Sequence, residues 1–221
     1  MTYKITPSLN AALTINTDFS ATEVDEQQVA LDRFSLFFPE KRDFFLQDAG
    51  IFEFGGLAAN GRPFFSRRIG LSVGGQPVGI DVGGKLTGHS GNLSLGVLGV
   101  RQEAFEDITA KNLFVGRASI NVLDESLLGM IVTSGDPTSN ESNTLVGTDL
   151  IYRNSDGPFG QLVLVNAWFQ QTDSPGTNDE NQAFGAVFQV PNDRLSVRVG
   201  ALEIQENFKP ALGFVNRPGI R

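Results

Sequence analysis

Apolar residues alternate with small or polar ones along the whole chain, and this period-two pattern restricts what it can fold into. In LNAALTINTDF (9–19), Leu9, Ala11, Leu13, Ile15 and Thr17 share one face, and Asn10, Ala12, Thr14, Asn16 and Asp18 the other. The pattern recurs in 113–122, where Phe114, Gly116, Ala118, Ile120 and Val122 alternate with Val115, Arg117, Ser119 and Asn121. It returns in 145–153, 183–190 and 195–201. Side chains of a strand point alternately to opposite faces, whereas a helix would repeat at i, i+3, i+4 and i+7; no long segment does so. Turn-forming clusters separate the runs: GHSGN (88–92), DES (124–126), GDPTSNESN (135–143), NSDGP (154–158), TDSPGTNDEN (172–181) and PND (191–193). The pattern predicts an all-β antiparallel meander of about ten to twelve strands, with residues 1–221 as a single domain.

Two architectures satisfy that pattern. In a soluble sandwich the apolar faces meet in a core; in a transmembrane-type β-barrel they meet lipid and the other faces line the lumen. Strands of ten or more residues, tight connections alternating with longer ones, and faces rich in Gly, Ser, Thr and Asn favour the barrel or part of one. Charges embedded in the strands are costly toward lipid, about 2–4 kcal/mol near the midplane. Lys85, Arg117, Asp149 and Arg198 are therefore placed inside as lumen-lining candidates, either tuning passage of a solute or pairing across the lumen and keeping it filled. Against the barrel stand two Tyr and one Trp beside 18 Phe, since Tyr and Trp normally populate the interfacial girdles.

Composition removes several function classes. With no Cys and only His89 among histidines, neither a disulfide framework nor a zinc cluster can be built. The net charge of −8 argues against a nucleic-acid partner. No run approaches the ~18 apolar residues of a spanning helix. Met1 leads into TYKITPSLNAAL without the features of a signal peptide, so an exported protein is expected to carry one outside this chain.

Few residues suggest catalysis or ligand chemistry. His89-Ser90, with Asn92 nearby, is the one place for a His/Ser/Asn hydrolase, but glycines flank the pair and a hairpin turn explains it better. Asp173, Asp179 and Glu180 offer oxygen ligands for Ca²⁺ without calcium-loop spacing, so a solvated loop is the plainer account. GGQPVGIDVGGK (74–85) lacks a phosphate-loop pattern; its glycines suit strands that bend or pack closely. Arg67 and Arg68 form a candidate lumen or rim patch for anionic groups, unless carboxylates partner them. The expected catalytic, cofactor and metal residues are none.

SLFFPEKRDFFLQ (35–47) is the most specific string in the chain. Its Phe37, Phe38, Pro39, Glu40, Lys41, Arg42, Phe44 and Phe45 fit the pattern R-F-x-L-F-F-P-E-K-R-x-F-F-L. YKITPSL (3–9), NTDF (16–19), FSRRIG (65–70), GGKLTG (83–88) and ENFKPALGFVNRPGIR (206–221) supply further matching segments. Together they resemble the β-barrel domain of unknown function 5916, which follows a family-9-like carbohydrate-binding module in Gram-negative outer-membrane proteins. Asp43 departs from the family pattern, where Pro is usual.

The resemblance implies an outer-membrane location, contact with outer-membrane lipid, and carbohydrate as a partner only through the module outside this chain. It also implies that the chain is an internal piece of a longer protein. The family supplies no activity to transfer, and fold analogy alone does not give one. The expected function is a non-enzymatic barrel segment with a transport or surface-anchoring role linked to glycan use. The alternatives are a soluble β-sandwich binding module and an outer-membrane hydrolase. For the string at 35–47, the expectation is that the two Phe pairs close two strands near a membrane interface around a polar turn. The alternative is that the charged knot folds into the lumen.

Overall fold

The computed structural model describes residues 2–17, 39–157, 160–177, 179–191 and 196–220. Among the described residues, ten strands form one antiparallel sheet in strict chain order. They are β1 (Thr2–Thr6), β2 (Leu9–Thr17), β3 (Ile80–Ser90), β4 (Leu93–Gln102), β5 (Lys111–Val122), β6 (Ser126–Ser134), β7 (Thr144–Asn154), β8 (Val163–Asp173), β9 (Gln182–Val190) and β10 (Val197–Ile204). The all-β meander read from the sequence is thus present with ten strands. Among the described residues no pairing joins β1 to β10, so each presents an edge. At the end of β10, Ile204 pairs with Ile220 through reciprocal backbone hydrogen bonds.

The connections differ between the two ends of the sheet. Pro7-Ser8, Gly91-Asn92 and Leu123–Glu125 close short turns at one end, where Ser8 O also accepts from His89 N. Residues 103–110, 135–143 and 174–181 form longer loops at the other. β3 runs through His89 and Ser90, so the turn expected at 88–92 is confined to Gly91-Asn92, with Gly91 at φ +58°.

Period two separates the faces as expected. The outer face carries Leu13 and Ile15, Leu95, Phe114 and Ile120, Leu128 and Met130, Val146, Phe169, Phe184 and Phe188, and Val199, all exposed. Across β4 to β9, cross-strand registers place Leu95, Ala118, Met130, Thr148, Phe169 and Phe184 in one continuous row.

The inner face is covered by the chain itself. Residues 39–79 and 205–220 pack over it as an irregular plug containing one helical turn, α1 (Asp43–Leu46), and little other regular structure. Phe45, Phe52, Phe54 and Ile69 of the first segment and Phe208 and Leu212 of the second share a core with Leu98, Val115, Ile131, Leu145 and Trp168 of the wall. The inner face is therefore part apolar, where the plug's rings land, and not uniformly small or polar. The two plug segments also pair with each other: Arg62 N donates to Phe214 O (3.1 Å), Phe214 N to Arg62 O (2.9 Å) and Phe65 N to Leu212 O (2.8 Å).

This placement corrects the first expectation for the 35–47 string. Phe37 and Phe38 lie outside the described residues. Phe44 and Phe45 close no strand: they sit in α1, Phe45 is buried, and no strand follows until β3. The reason is the ion pair between Glu40 and Arg42, which needs both inward while Lys41 and Asp43 stay exposed.

Candidate functional site

The plug's irregular backbone has no ladder partner, so its buried polar groups need other partners. Inward side chains of the wall supply them. On β3, Lys85 Nζ donates to Phe44 O (2.6 Å) and to Gln47 O, satisfying carbonyls at the end of α1. On β7, Asp149 Oδ2 accepts from Gly55 N at 2.8 Å. On β8, Gln170 Nε2 donates to Gly61 O at 2.8 Å; on β4, Gln102 Oε1 accepts from Gly70 N at 2.9 Å. Thr87 Oγ1 and Asn10 Nδ2 donate to Asp48 Oδ2 at 2.6 and 3.1 Å, and the Thr87 bond leads the interactions that hold the Asp48 carboxyl below the usual aspartate range.

Arg117 of β5 and Asp149 of β7 form a two-pronged pair at 2.6 and 3.0 Å, both 2% exposed. The intervening β6 permits this because Gly129 leaves its inner position empty; a methyl group there would overlap both partners. Arg117 also faces the Phe54 ring, with 5.4 Å from its guanidinium carbon to the ring centroid.

Glu40 and Arg42 form a clasp inside the plug. Arg42 Nε and one terminal nitrogen reach the Glu40 carboxylate at 2.8 and 2.7 Å, and its guanidinium also donates to Ile69 O and Ser66 O. Ser66 Oγ adds a 2.6 Å bond to Glu40. Burial alone would raise the Glu40 pKa, but the Arg42 hydrogen bonds and charge, with Ser66, outweigh it and hold the carboxyl below its ordinary 4.5. A depressed native pKa contributes stability above the unfolded value that is lost as pH falls through the native one. Wild-type minus Glu40→Gln stability, from thermal unfolding, is accordingly expected to be largest above pH 4.5 and to shrink below it. Parallel pH profiles would contradict the clasp.

The two arginines at 67–68 meet carbonyls: Arg67 donates to Pro39 O at 3.2 Å and Arg68 to Gly213 O at 2.9 Å. Burial disfavours the Arg68 charge and the Asp136 carboxylate partly offsets it, a carboxylate contact of the kind expected for this pair. Arg198 lies exposed on the edge strand β10, away from the buried charges. His89 Nδ1 is 2.7 Å from Ser94 Oγ across the β3–β4 hairpin, not from Ser90. Among the described residues, no third side chain hydrogen-bonds the His89 ring as a nucleophilic site would need, and no three of His, Asp and Glu gather as a metal site.

Sequence reading missed the glycine sockets. Gly83, Gly96, Gly129, Gly147 and Gly185 all fall at inward positions of their strands. A methyl group on Gly96 would stand 2.8 Å from Ile51 and 2.9 Å from Phe52, and one on Gly147 3.0 Å from Phe54. The signal was present as one inward glycine in each of β3, β4, β6, β7 and β9, in a chain with a Phe-rich segment at 44–65. Gly96→Val is expected to cost about 1–3 kcal/mol through overpacking, read by denaturant unfolding; an unchanged midpoint would show that the plug does not seat there.

The first three strands and the plug segment between β2 and β3 are also where comparison with known families bears. No curated protein and no solved structure matches the chain. The last of the matching motifs, at 206–221, lies beyond the region that a family model covers, although its Leu212 and Phe214 pair with Phe65 and Arg62 within it. A family model described as Domain of unknown function (DUF5916) matches residues 1–84, which hold β1, β2, the Glu40–Arg42 clasp and the start of β3.

Proposed function

We propose that this chain forms wall and internal plug of an outer-membrane β-barrel, non-enzymatic, with a role in controlled passage of a solute or in anchoring a glycan-binding module at the surface. The observation that carries the reading is the division of the sheet's faces. Large apolar side chains are exposed on the outer face of β2, β4–β10. The strand-borne charges Lys85, Arg117 and Asp149 are buried on the other face. A water-soluble sheet would place its apolar face inward and its charges outward; a wall between lipid and a filled lumen needs the arrangement seen here. An exposed apolar surface of this extent is otherwise a liability for aggregation. No helix among the described residues is long and apolar enough to cross a membrane, which has no bearing on strands.

Beside the shared apolar core, many polar contacts between plug and wall are side chain to backbone hydrogen bonds, and these support a passage role. Water can replace such bonds at modest net cost, about 0.5–1.5 kcal/mol each, so the contacts are separable in a way that a continuous sheet ladder is not. The test is fractionation of cells expressing the protein. The proposal expects it in the outer-membrane pellet after alkaline carbonate washing and in solution only with detergent. Recovery in the detergent-free supernatant would favour the soluble binding module instead.

A further inference from the structure

We propose that the recess between the plug and strands β3–β4 binds a small organic anion with a single apolar ring or short apolar body. This rests on the solute-passage reading and names the class of solute. The recess has a volume of about 250 Å³ and is walled by Phe45, Phe52, Phe64, Phe65 and Leu98. That is below the ~300–1,000 Å³ of sites for drug-sized ligands, so the occupant is small.

Its polar groups select the charge. Lys85, only 5% exposed, gives two of its three ammonium protons to the Phe44 and Gln47 carbonyls. Among the described residues the third has no hydrogen-bond acceptor. Arg62 lines the same recess but answers to the Glu53 carboxylate, so Lys85 is the cation on which the site rests. The carboxylate present, Glu40, is matched by Arg42 and Ser66. The lining thus offers an ammonium donor and little acceptor capacity.

Other occupants fit less well. A polyol brings hydroxyl donors that would find few acceptors and be left unpaired. An ammonium compound would face Lys85 and Arg62 directly. Water can answer the Lys85 ammonium but covers none of the apolar wall. An anion with an apolar body satisfies the ammonium and covers the rings together.

The test is ligand-observed NMR on the full chain in detergent micelles, with benzoate as probe and benzylamine and glucose as counter-probes. Saturable benzoate binding is expected, at least tenfold tighter than for either counter-probe. Ala49 lies exposed at the recess and its methyl side chain makes no hydrogen bond, so Ala49→Phe blocks the space while leaving the Lys85 and Glu40–Arg42 bonds in place. It is expected to weaken benzoate at least tenfold. Lys85→Met should weaken it as well, but Lys85 also secures the plug, so Ala49→Phe decides. Absence of saturable benzoate binding, equal binding of glucose or benzylamine, or unchanged affinity in Ala49→Phe would each overturn the proposal. Because the titration is read in micelles, its failure leaves the membrane fractionation result standing, and the reverse also holds.

Discussion

Asp149→Ala is expected to destabilise the protein by about 3–5 kcal/mol, the cost of leaving a buried charge without its partner. Arg117 would keep its guanidinium in a site 2% exposed, between β6 and the Phe54 ring, with neither carboxylate oxygen to meet it. Gly55 N would lose its acceptor at the same time, and that N–H anchors the plug between Phe54 and Gly56. Gly55 cannot easily shift to compensate. It sits at φ +60°, and any Cβ there would lie 2.9 Å from the Trp168 ring. Denaturant unfolding in detergent checks the magnitude, and limited proteolysis between residues 55 and 65 checks release of the plug. Replacing both partners by apolar residues, Arg117→Met with Asp149→Leu, should recover much of the loss, because no charge then remains to be solvated. A single-variant cost under about 1 kcal/mol, typical of exposed pairs, would show that water reaches the pair.

The second large effect is expected on the opposite face. Met130 lies mid-strand on β6, exposed, between Ala118 and Thr148. In a bilayer, Met130→Arg would place a guanidinium among acyl chains and cost about 2–4 kcal/mol near the midplane. In water the same exposed substitution would change stability by roughly 0.5 kcal/mol or less. Met130→Leu is the control and should be silent in both cases. Folding into vesicles at several denaturant concentrations measures the difference, so one residue separates the membrane wall from a soluble sheet.

Much of the sheet was legible because strand periodicity is local. Parity alone assigns Phe114, Ile120, Phe184 and Phe188 to one face and Arg117, Lys85 and Asp149 to the other, and the structure keeps those assignments. What the inward charges do was not legible. Asp149 meets Gly55 across 94 positions of sequence, and Lys85 meets Phe44 across 41, and no local pattern encodes such partners. The clasp misled for a similar reason. Phe-Phe and Pro beside charges read as the end of a strand at an interface, whereas Ser66 and Ile69, far along the chain, draw Glu40 and Arg42 inward. The rings of Phe52 and Phe54 and the inward glycines Gly96 and Gly147 were each visible; their pairing required the fold.

The central claim is that the outer face of the sheet meets lipid while its inner face is closed by the plug. The chain contains no cysteine, so single cysteines can be spin-labelled without background. Labels at Phe114→Cys, Met130→Cys and Phe184→Cys, in the protein reconstituted into bilayers, are expected to collide with dissolved oxygen far more than with a water-soluble nickel complex. A label at the exposed turn residue Leu123→Cys should show the reverse preference. If the three strand labels were as accessible to nickel as the turn label, the outer face would be facing water and the account of this chain as a membrane wall would be contradicted.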